Sequence, residues 1–205
     1  MTTPVRRPRS RLPLLAILAV CLAPVVFAVL AYYVPALGLR PDGTSNHGRL
    51  IDPQRPMPAA ADLVLTDVSG RTFDLNSLKG QWLLISAGPG ACPENCVRRL
   101  FILRNSHASQ GKEVERLNRI WFVTDTAPLN PVVDAAYQGT IVLRADPAQL
   151  AAWLTVDEAD PQAALSGHMW VVDPLGNLMM AFPDASEPEH VRDDIRTLLK
   201  NSHIG

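Results

Sequence analysis

The chain has 205 residues, which is room for one domain or for one domain with an anchor. With 47% hydrophobic and 6% aromatic residues it has a globular composition, which excludes full intrinsic disorder. The net charge of -1 averages two unlike parts, because residues 1–40 contain five basic residues and no acid. The remainder carries 14 basic against 20 acidic residues. So acidic a surface does not suit phosphate backbones, and we expect no nucleic-acid partner.

Residues 12–34 form an apolar segment of 23 residues without a charge. At ~1.5 Å rise per residue, a helix of this length spans the ~30 Å hydrocarbon core of a bilayer. The arginines before it predict a cytoplasmic N-terminus and an exported C-terminal part. The alternatives are a cleaved signal peptide, whose apolar core would be only ~7–15 residues long, and lipid attachment at Cys21. The sequence therefore predicts a single-pass protein of the bacterial inner membrane, with the lipid bilayer contacted through this helix.

The exported part divides into a tether and a domain. Residues 35–61 are rich in proline and glycine and show neither helical nor strand periodicity, which is typical of a semi-rigid tether. From residue 62, short apolar strands alternate with helical segments, and a final hairpin is followed by an amphipathic helix. This order predicts an α/β domain with a mixed sheet and a thioredoxin-like fold, preceded by a single transmembrane helix. The predicted segments are a basic cytoplasmic tail (1–11), the transmembrane helix (12–34), the periplasmic tether (35–61) and the thioredoxin-like domain (62–205).

The exported part has two cysteines, Cys92 and Cys96, spaced i, i+4. If they open a helix, both sulfurs lie on one face, at the helix end that stabilises thiolates. One interpretation is a structural disulfide, although so short a loop restrains the unfolded chain little. A second is a thiol–disulfide exchange site, which usually has two residues between its cysteines and a cis-proline before the facing strand. Here three residues intervene, and residues 166–169 contain no proline.

The third interpretation is a copper site, because two thiolates and an imidazole form a soft ligand set that selects Cu(I). The segment before the hairpin strand is the natural source of the imidazole, and His168 lies there. The other four histidines lie in the tether, late in the first domain helix, or in the last helix and tail, where solvated surface positions are expected.

Other classes of protein find less support in the sequence. There is no G-x-S-x-G elbow for acyl transfer and no phosphate-binding glycine motif followed by a lysine. A peroxidase would use one thiolate beside an arginine, and Arg98 and Arg99 follow Cys96, but the paired cysteine argues against it. A non-catalytic scaffold that binds other proteins is a further alternative, in which both cysteines would be dispensable.

Three stretches of the sequence resemble the Sco/SenC family, and a divergent bacterial branch of it in particular. Residues 82–96 match its strand, glycine-containing loop and C-P-x-x-C motif, with Cys92, Pro93 and Cys96 in register. Residues 121–128 are similar to its next strand and following loop, and residues 171–176 to its late strand and Asp-Pro turn. The resemblance spans roughly residues 60–200. His168 lies nearer to this turn than the family's ligand histidine does.

This resemblance implies a membrane-anchored, thioredoxin-fold copper protein that assists assembly of the copper centres of cytochrome c oxidase. Cys92 and Cys96 would bind copper, as Cu(I) or Cu(II), or reduce a partner's disulfide, and His168 would complete the metal site. The expected partners are cytochrome c oxidase subunits or other copper chaperones. Enzymatic turnover is not required for the chaperone role, whereas the alternative role is that of a thiol–disulfide oxidoreductase.

Overall fold

The computed structural model describes residues 11–34, 46–155 and 158–204, in two separate units that divide between Ser45 and Asn46. The first unit contains helix α1, Leu12–Tyr33, whose residues are apolar and solvent-exposed. It is long and apolar enough to cross a membrane, a property that signal sequences share. The predicted cytoplasmic tail lies almost wholly outside the described residues, as does the first part of the predicted tether, residues 35–45.

The described part of the second unit is built on one mixed sheet of eight strands in the order β1-β8-β7-β4-β5-β6-β2-β3. Strands β4, β5 and β6 are parallel to one another, and the remaining pairings are antiparallel. The central strand β4 is buried along its whole length because it is covered on both faces. The strands are β1 Arg49–Pro56, β2 Leu65–Asp67, β3 Thr72–Phe73, β4 Trp82–Gly88, β5 Leu117–Val123, β6 Ile141–Ala145, β7 His168–Val172 and β8 Asn177–Pro183.

Within the described residues of this unit, five helices cover the two faces of the sheet. Apolar residues of α2 and α6 pack on one face, and those of α4 and α5 pack on the other. Each strand supplies alternate side chains to the two cores, so that Met169 faces α2 while Trp170 faces the opposite side. These helices are α2 Glu94–Ala108, α3 Pro131–Ala136, α4 Pro147–Leu154, α5 Pro161–Gly167 and α6 Pro188–Asn201, with short 3-10 turns at Leu75–Leu78 and Gly111–Arg116.

The predicted mixed α/β sheet is confirmed, but the start of the domain differs from the prediction. The expected tether continued to residue 61, whereas Arg49–Pro56 forms the edge strand β1, which pairs with β8. The pairing is interrupted between Leu50 and Arg55. A proline has no N–H to donate to a neighbouring strand, so prolines in sheets are confined to edge strands and irregularities. Because this segment contains prolines, the sequence did not predict a strand here. The backbone N–H groups of His47 and Gly48 also bind the domain, both donating to the buried carboxylate of Asp194 at 2.8 Å.

Candidate functional site at the start of helix α2

The two exported cysteines meet where β4 leads into α2. Pro93 caps this helix with an extended backbone, and Glu94 places an acid in its first turn, where the helix dipole favours negative charge. Cys92 and Cys96 form a disulfide, with a Cα–Cα distance of 5.1 Å. Both residues are buried, with 4% and 0% of their surface exposed. The i, i+4 spacing therefore places the two sulfurs in contact. Because both residues are buried, a partner thiolate reaches the sulfurs only if the surrounding loop moves.

The backbone of Cys92 adopts an uncommon conformation. Its φ of 44° lies in the left-handed region, and it is the only non-glycine residue with positive φ in the part of the chain that the structure describes. The Cys92 N–H donates to the carbonyl of Pro89 at 3.0 Å, which closes a tight turn before the helix. Such conformations persist only where the surroundings enforce them, and they concentrate at functional sites.

The loop before Cys92 is clamped to the segment that follows β5. The N–H of Gly90 donates to Asp125 Oδ1 at 3.0 Å, and the carbonyl of Gly90 accepts from the N–H of Asn130 at 3.0 Å. A Cβ on Gly90 would stand 3.0 Å from the carbonyl oxygen of Ala127, so only glycine fits this approach without displacing the backbone. The clamp fixes the loop, and with it the position of Cys92.

An open groove of about 590 Å³ lies beside the disulfide at the N-terminal end of α2. Its lining residues carry mixed charge and come from α2 and from the segment after β8: Pro93, Glu94, Asn95, Arg98 and Asp184. A partner's chain could approach the cysteine loop along this groove.

The structure does not bring His168 to the cysteines. In β7, Met169 belongs to the core that contains Cys92 and Cys96, whereas Trp170 belongs to the opposite core. His168 shares the face of Trp170, because side chains alternate along a strand and their rings are 6.0 Å apart. Its Nδ1 lies 3.0 Å from the carbonyl of Ala164 in α5. Within residues 11–34, 46–155 and 158–204, no three His, Cys, Asp or Glu side chains are grouped to hold a metal ion.

Two polar residues of the site were not predicted as parts of it. Asp125 holds the cysteine loop, and the side chain of Arg99 is buried one helical turn after Cys96, with 1% of its surface exposed. The sequence pointed to Arg99 only as an activating cation for a peroxidase. The i, i+3 spacing from Cys96 was the available signal that both side chains share one helix face.

A protein-family model described as "Transmembrane-like, thioredoxin-like, C-terminal domain" matches residues 82–202. The match begins with β4 and ends after α6, so it includes the cysteine loop and helices α2 and α6. No curated protein matches the chain in sequence.

Solved structures with the same fold include Sco proteins and a thiol–disulfide protein. Apo Sco1 of Thermus thermophilus is 18% identical, with a TM-score of 0.55, covering 78% of this chain and 98% of its own. Copper-bound ScoI of Arabidopsis thaliana is 14% identical, with a TM-score of 0.50 and coverages of 68% and 96%. A thiol:disulfide interchange protein from Bacteroides sp. is 14% identical, with a TM-score of 0.53 and coverages of 73% and 91%. At these identities the likeness establishes the fold, and it confirms the predicted thioredoxin-like architecture that Sco proteins share.

Proposed function

This chain belongs to the family of transmembrane-like, thioredoxin-like C-terminal domains, and from that premise we propose that it is a copper-handling assembly factor. Its reduced cysteine pair would bind Cu(I) as cargo and deliver it to a haem–copper (cytochrome c) oxidase. The observation that carries the proposal is the contact between Cys92 and Cys96 at the start of α2.

The chemistry of this pair suits a soft metal. Reduction of the disulfide leaves two neighbouring sulfurs, one in the loop before α2 and one in its first turn. Thiolates are the ligands that select Cu(I). The N-terminal end of α2 stabilises negative charge on them through the helix dipole. Copper bound in the Arabidopsis thaliana protein of the same fold supports this assignment. Oxidation to the disulfide removes both thiolates, so the redox state of the pair would decide whether copper is held.

His168 as third ligand stays a prediction. In the disulfide form its ring faces the α4–α5 side of the sheet and contacts the Ala164 carbonyl. To join the cysteines it would have to leave this contact and change faces at the start of β7. We therefore include its substitution in the test of the site.

The proposed location is the bacterial inner membrane, with α1 as a single-pass anchor and the domain in the periplasm. The exposed, apolar surface of α1 supports the anchor, and the arginines before it support the orientation. The proposed partners are oxidase subunits or other copper chaperones in the same compartment.

The test is copper retention by the full-length protein in detergent, reduced, loaded with Cu(I) without oxygen and desalted. We expect about one copper per chain for the wild type, since one thiolate pair forms one site. Cys92→Ser and Cys96→Ser should each lose it, and His168→Ala should weaken it if the imidazole is a ligand. Retention by both serine variants would overturn the proposal, and full retention by His168→Ala would remove His168 from the ligand set.

A second candidate is a thiol–disulfide oxidoreductase that keeps the cysteines of an oxidase or a chaperone reduced. Its support is the formed disulfide in a protein whose described residues contain no three-ligand metal group. In that reaction the partner's S–S bond would break as the Cys92–Cys96 bond forms, with two electrons passing to the partner. Reduction of a model disulfide by a wild type that binds no Cu(I) would decide for this candidate.

A further inference from the structure

The buried cation nearest the cysteine pair is the side chain of Arg99, which is not among the proposed copper ligands. Its guanidinium Nη2 and the Cys96 sulfur each lie 3.6 Å from the point where a Cβ on Gly88 would stand. The two groups therefore border the same small space beside the β4 backbone. Both residues are almost fully buried, so water screens their interaction little.

Three contacts hold the guanidinium in this place. Its Nη1 donates to Asp184 Oδ1 at 2.9 Å, its Nε to Ser86 Oγ at 3.3 Å, and its Nη2 to the Ala87 carbonyl at 3.4 Å. Only one of the three partners is charged. Asp184 is itself 43% exposed, so solvent weakens its neutralisation of the cation. A net positive potential is left on the side of the guanidinium that faces Cys96.

Burial of an arginine carries the free-energy cost of desolvating its charge, which an apolar side chain of similar volume would avoid. The positive charge becomes favourable when the disulfide is reduced. Reduction breaks the S–S bond with two electrons from a dithiol, which itself becomes a disulfide. Two protons also pass to the sulfurs, and a sulfur that releases its proton to solvent becomes a negatively charged thiolate. A Cu(I) ion held by two thiolates also leaves one net negative charge. The neutral disulfide needs no counter-charge.

We infer that Arg99 is a positioning residue that stabilises the reduced and Cu(I)-bound states of the Cys92–Cys96 pair relative to the disulfide, by placing a fixed cation beside Cys96. Asp184 moderates this effect by pairing with the same guanidinium. Only the copper part of the inference rests on the proposed function; the redox part concerns the cysteine pair alone.

The experiment measures the equilibrium between disulfide and dithiol in dithiothreitol buffers, for full-length protein in detergent. Arg99→Met should shift the equilibrium about tenfold toward the disulfide, which for a two-electron couple is a potential about 30 mV more negative. Arg99→Lys keeps the charge, so its equilibrium should lie much closer to that of the wild type than to that of Arg99→Met. The matched control is Arg104→Met, which removes an exposed cation from a position farther along α2 and should change the equilibrium less than twofold.

Asp184→Asn distinguishes electrostatics from mere packing. It leaves the buried guanidinium unneutralised, so it should move the equilibrium a few-fold toward the dithiol, opposite to Arg99→Met. A shift of both variants in the same direction, or Arg99→Met within twofold of wild type, would overturn the inference. If Arg99→Met does not fold, Asp184→Asn decides alone: a shift toward the dithiol supports the inference, and any other result refutes it.

Cu(I) competition with a chromophoric chelator gives the second readout. Affinity should fall about tenfold in Arg99→Met and rise in Asp184→Asn, in parallel with the redox shifts. If the wild type binds no Cu(I), the proposed chaperone function fails, while the dithiothreitol equilibrium still decides the role of Arg99. A Cu(I) affinity equal to that of the wild type in both variants would refute the copper part of the inference.

Discussion

The hydrogen bond between Gly90 and Asp125 should control how fast the disulfide is reduced. Because Cys92 and Cys96 are buried, an attacking thiolate reaches a sulfur only after the loop before Cys92 opens locally. The clamp from Asp125 Oδ1 to the Gly90 N–H, at 3.0 Å, opposes this opening. Substitution of Asp125 by alanine removes the acceptor and leaves the backbone bonds of the neighbouring segment in place.

The expected size follows from the type of bond. A hydrogen bond to a charged group contributes about 1.5–3 kcal/mol, and Asp125 is half-buried, which places its contribution near the lower end. A loss of about 1.4 kcal/mol raises the open population about tenfold. Reduction of Asp125→Ala by excess dithiothreitol should therefore be about tenfold faster than that of the wild type.

The assay follows thiol alkylation by mass shift after timed quenching. Asp125→Asn retains an oxygen acceptor without the charge and is the matched control, with an expected acceleration of about two- to threefold. Equal reduction rates for Asp125→Ala and wild type would refute the account in which loop opening limits access to the disulfide.

Three further predictions concern stability, measured by urea unfolding. Gly90→Ala should lose about 1–3 kcal/mol, since its Cβ would lie 3.0–3.3 Å from three oxygens, whereas Gly88→Ala meets its neighbours only at 3.6 Å or more and should be tolerated. Asp194→Ala should cost roughly 3 kcal/mol, because two backbone N–H groups that donate to it at 2.8 Å lose their acceptor; an unchanged midpoint would contradict this. Burial, and then the charge of Arg119, lower the pKa of His107 from 6.5. The unfolded chain therefore binds the proton more readily, so stability should be full above about pH 6.5 and decline below it. His107→Gln should flatten this pH dependence.

The sequence was sufficient to predict the elements whose signals are local and strong. The strand that begins at residue 82, the hairpin of β7 and β8 with its Asp-Pro turn, and the amphipathic closing helix all lie where expected. The Asp74 side chain caps the short turn after β3, accepting from the Asn76 N–H. In each case a pattern within a few residues determines the local structure.

Short helices were missed where packing, not periodicity, defines them. Helices α3 and α5 have six and seven residues, too few for an apolar period to be recognised. Each is nevertheless preceded by a capping side chain and starts with proline: Asn130 binds the Val132 N–H, and Asp160 binds the Ala163 N–H. An Asn-Pro or Asp-Pro pair was the signal that could have identified them.

The position of His168 depends on information that the sequence does not display. The sequence placed it before the hairpin strand, whereas it is the first residue of β7, and the face to which it points depends on the exact register of that strand. A one-residue difference in register exchanges the two faces of a strand. The pairing of β7 with β4 and β8 gives the register in which Met169, and not His168, shares the core of the cysteines.

The redox state of the Cys92–Cys96 pair should control copper binding, and this dependence is the core of the proposed function. It is tested most directly by measuring Cu(I) retained by full-length wild-type protein, in parallel as the disulfide and as the dithiol. The account predicts about one copper per chain in the dithiol form and none in the disulfide form, because oxidation removes both thiolate ligands. Equal copper in the two forms, or none in the dithiol form, would contradict it.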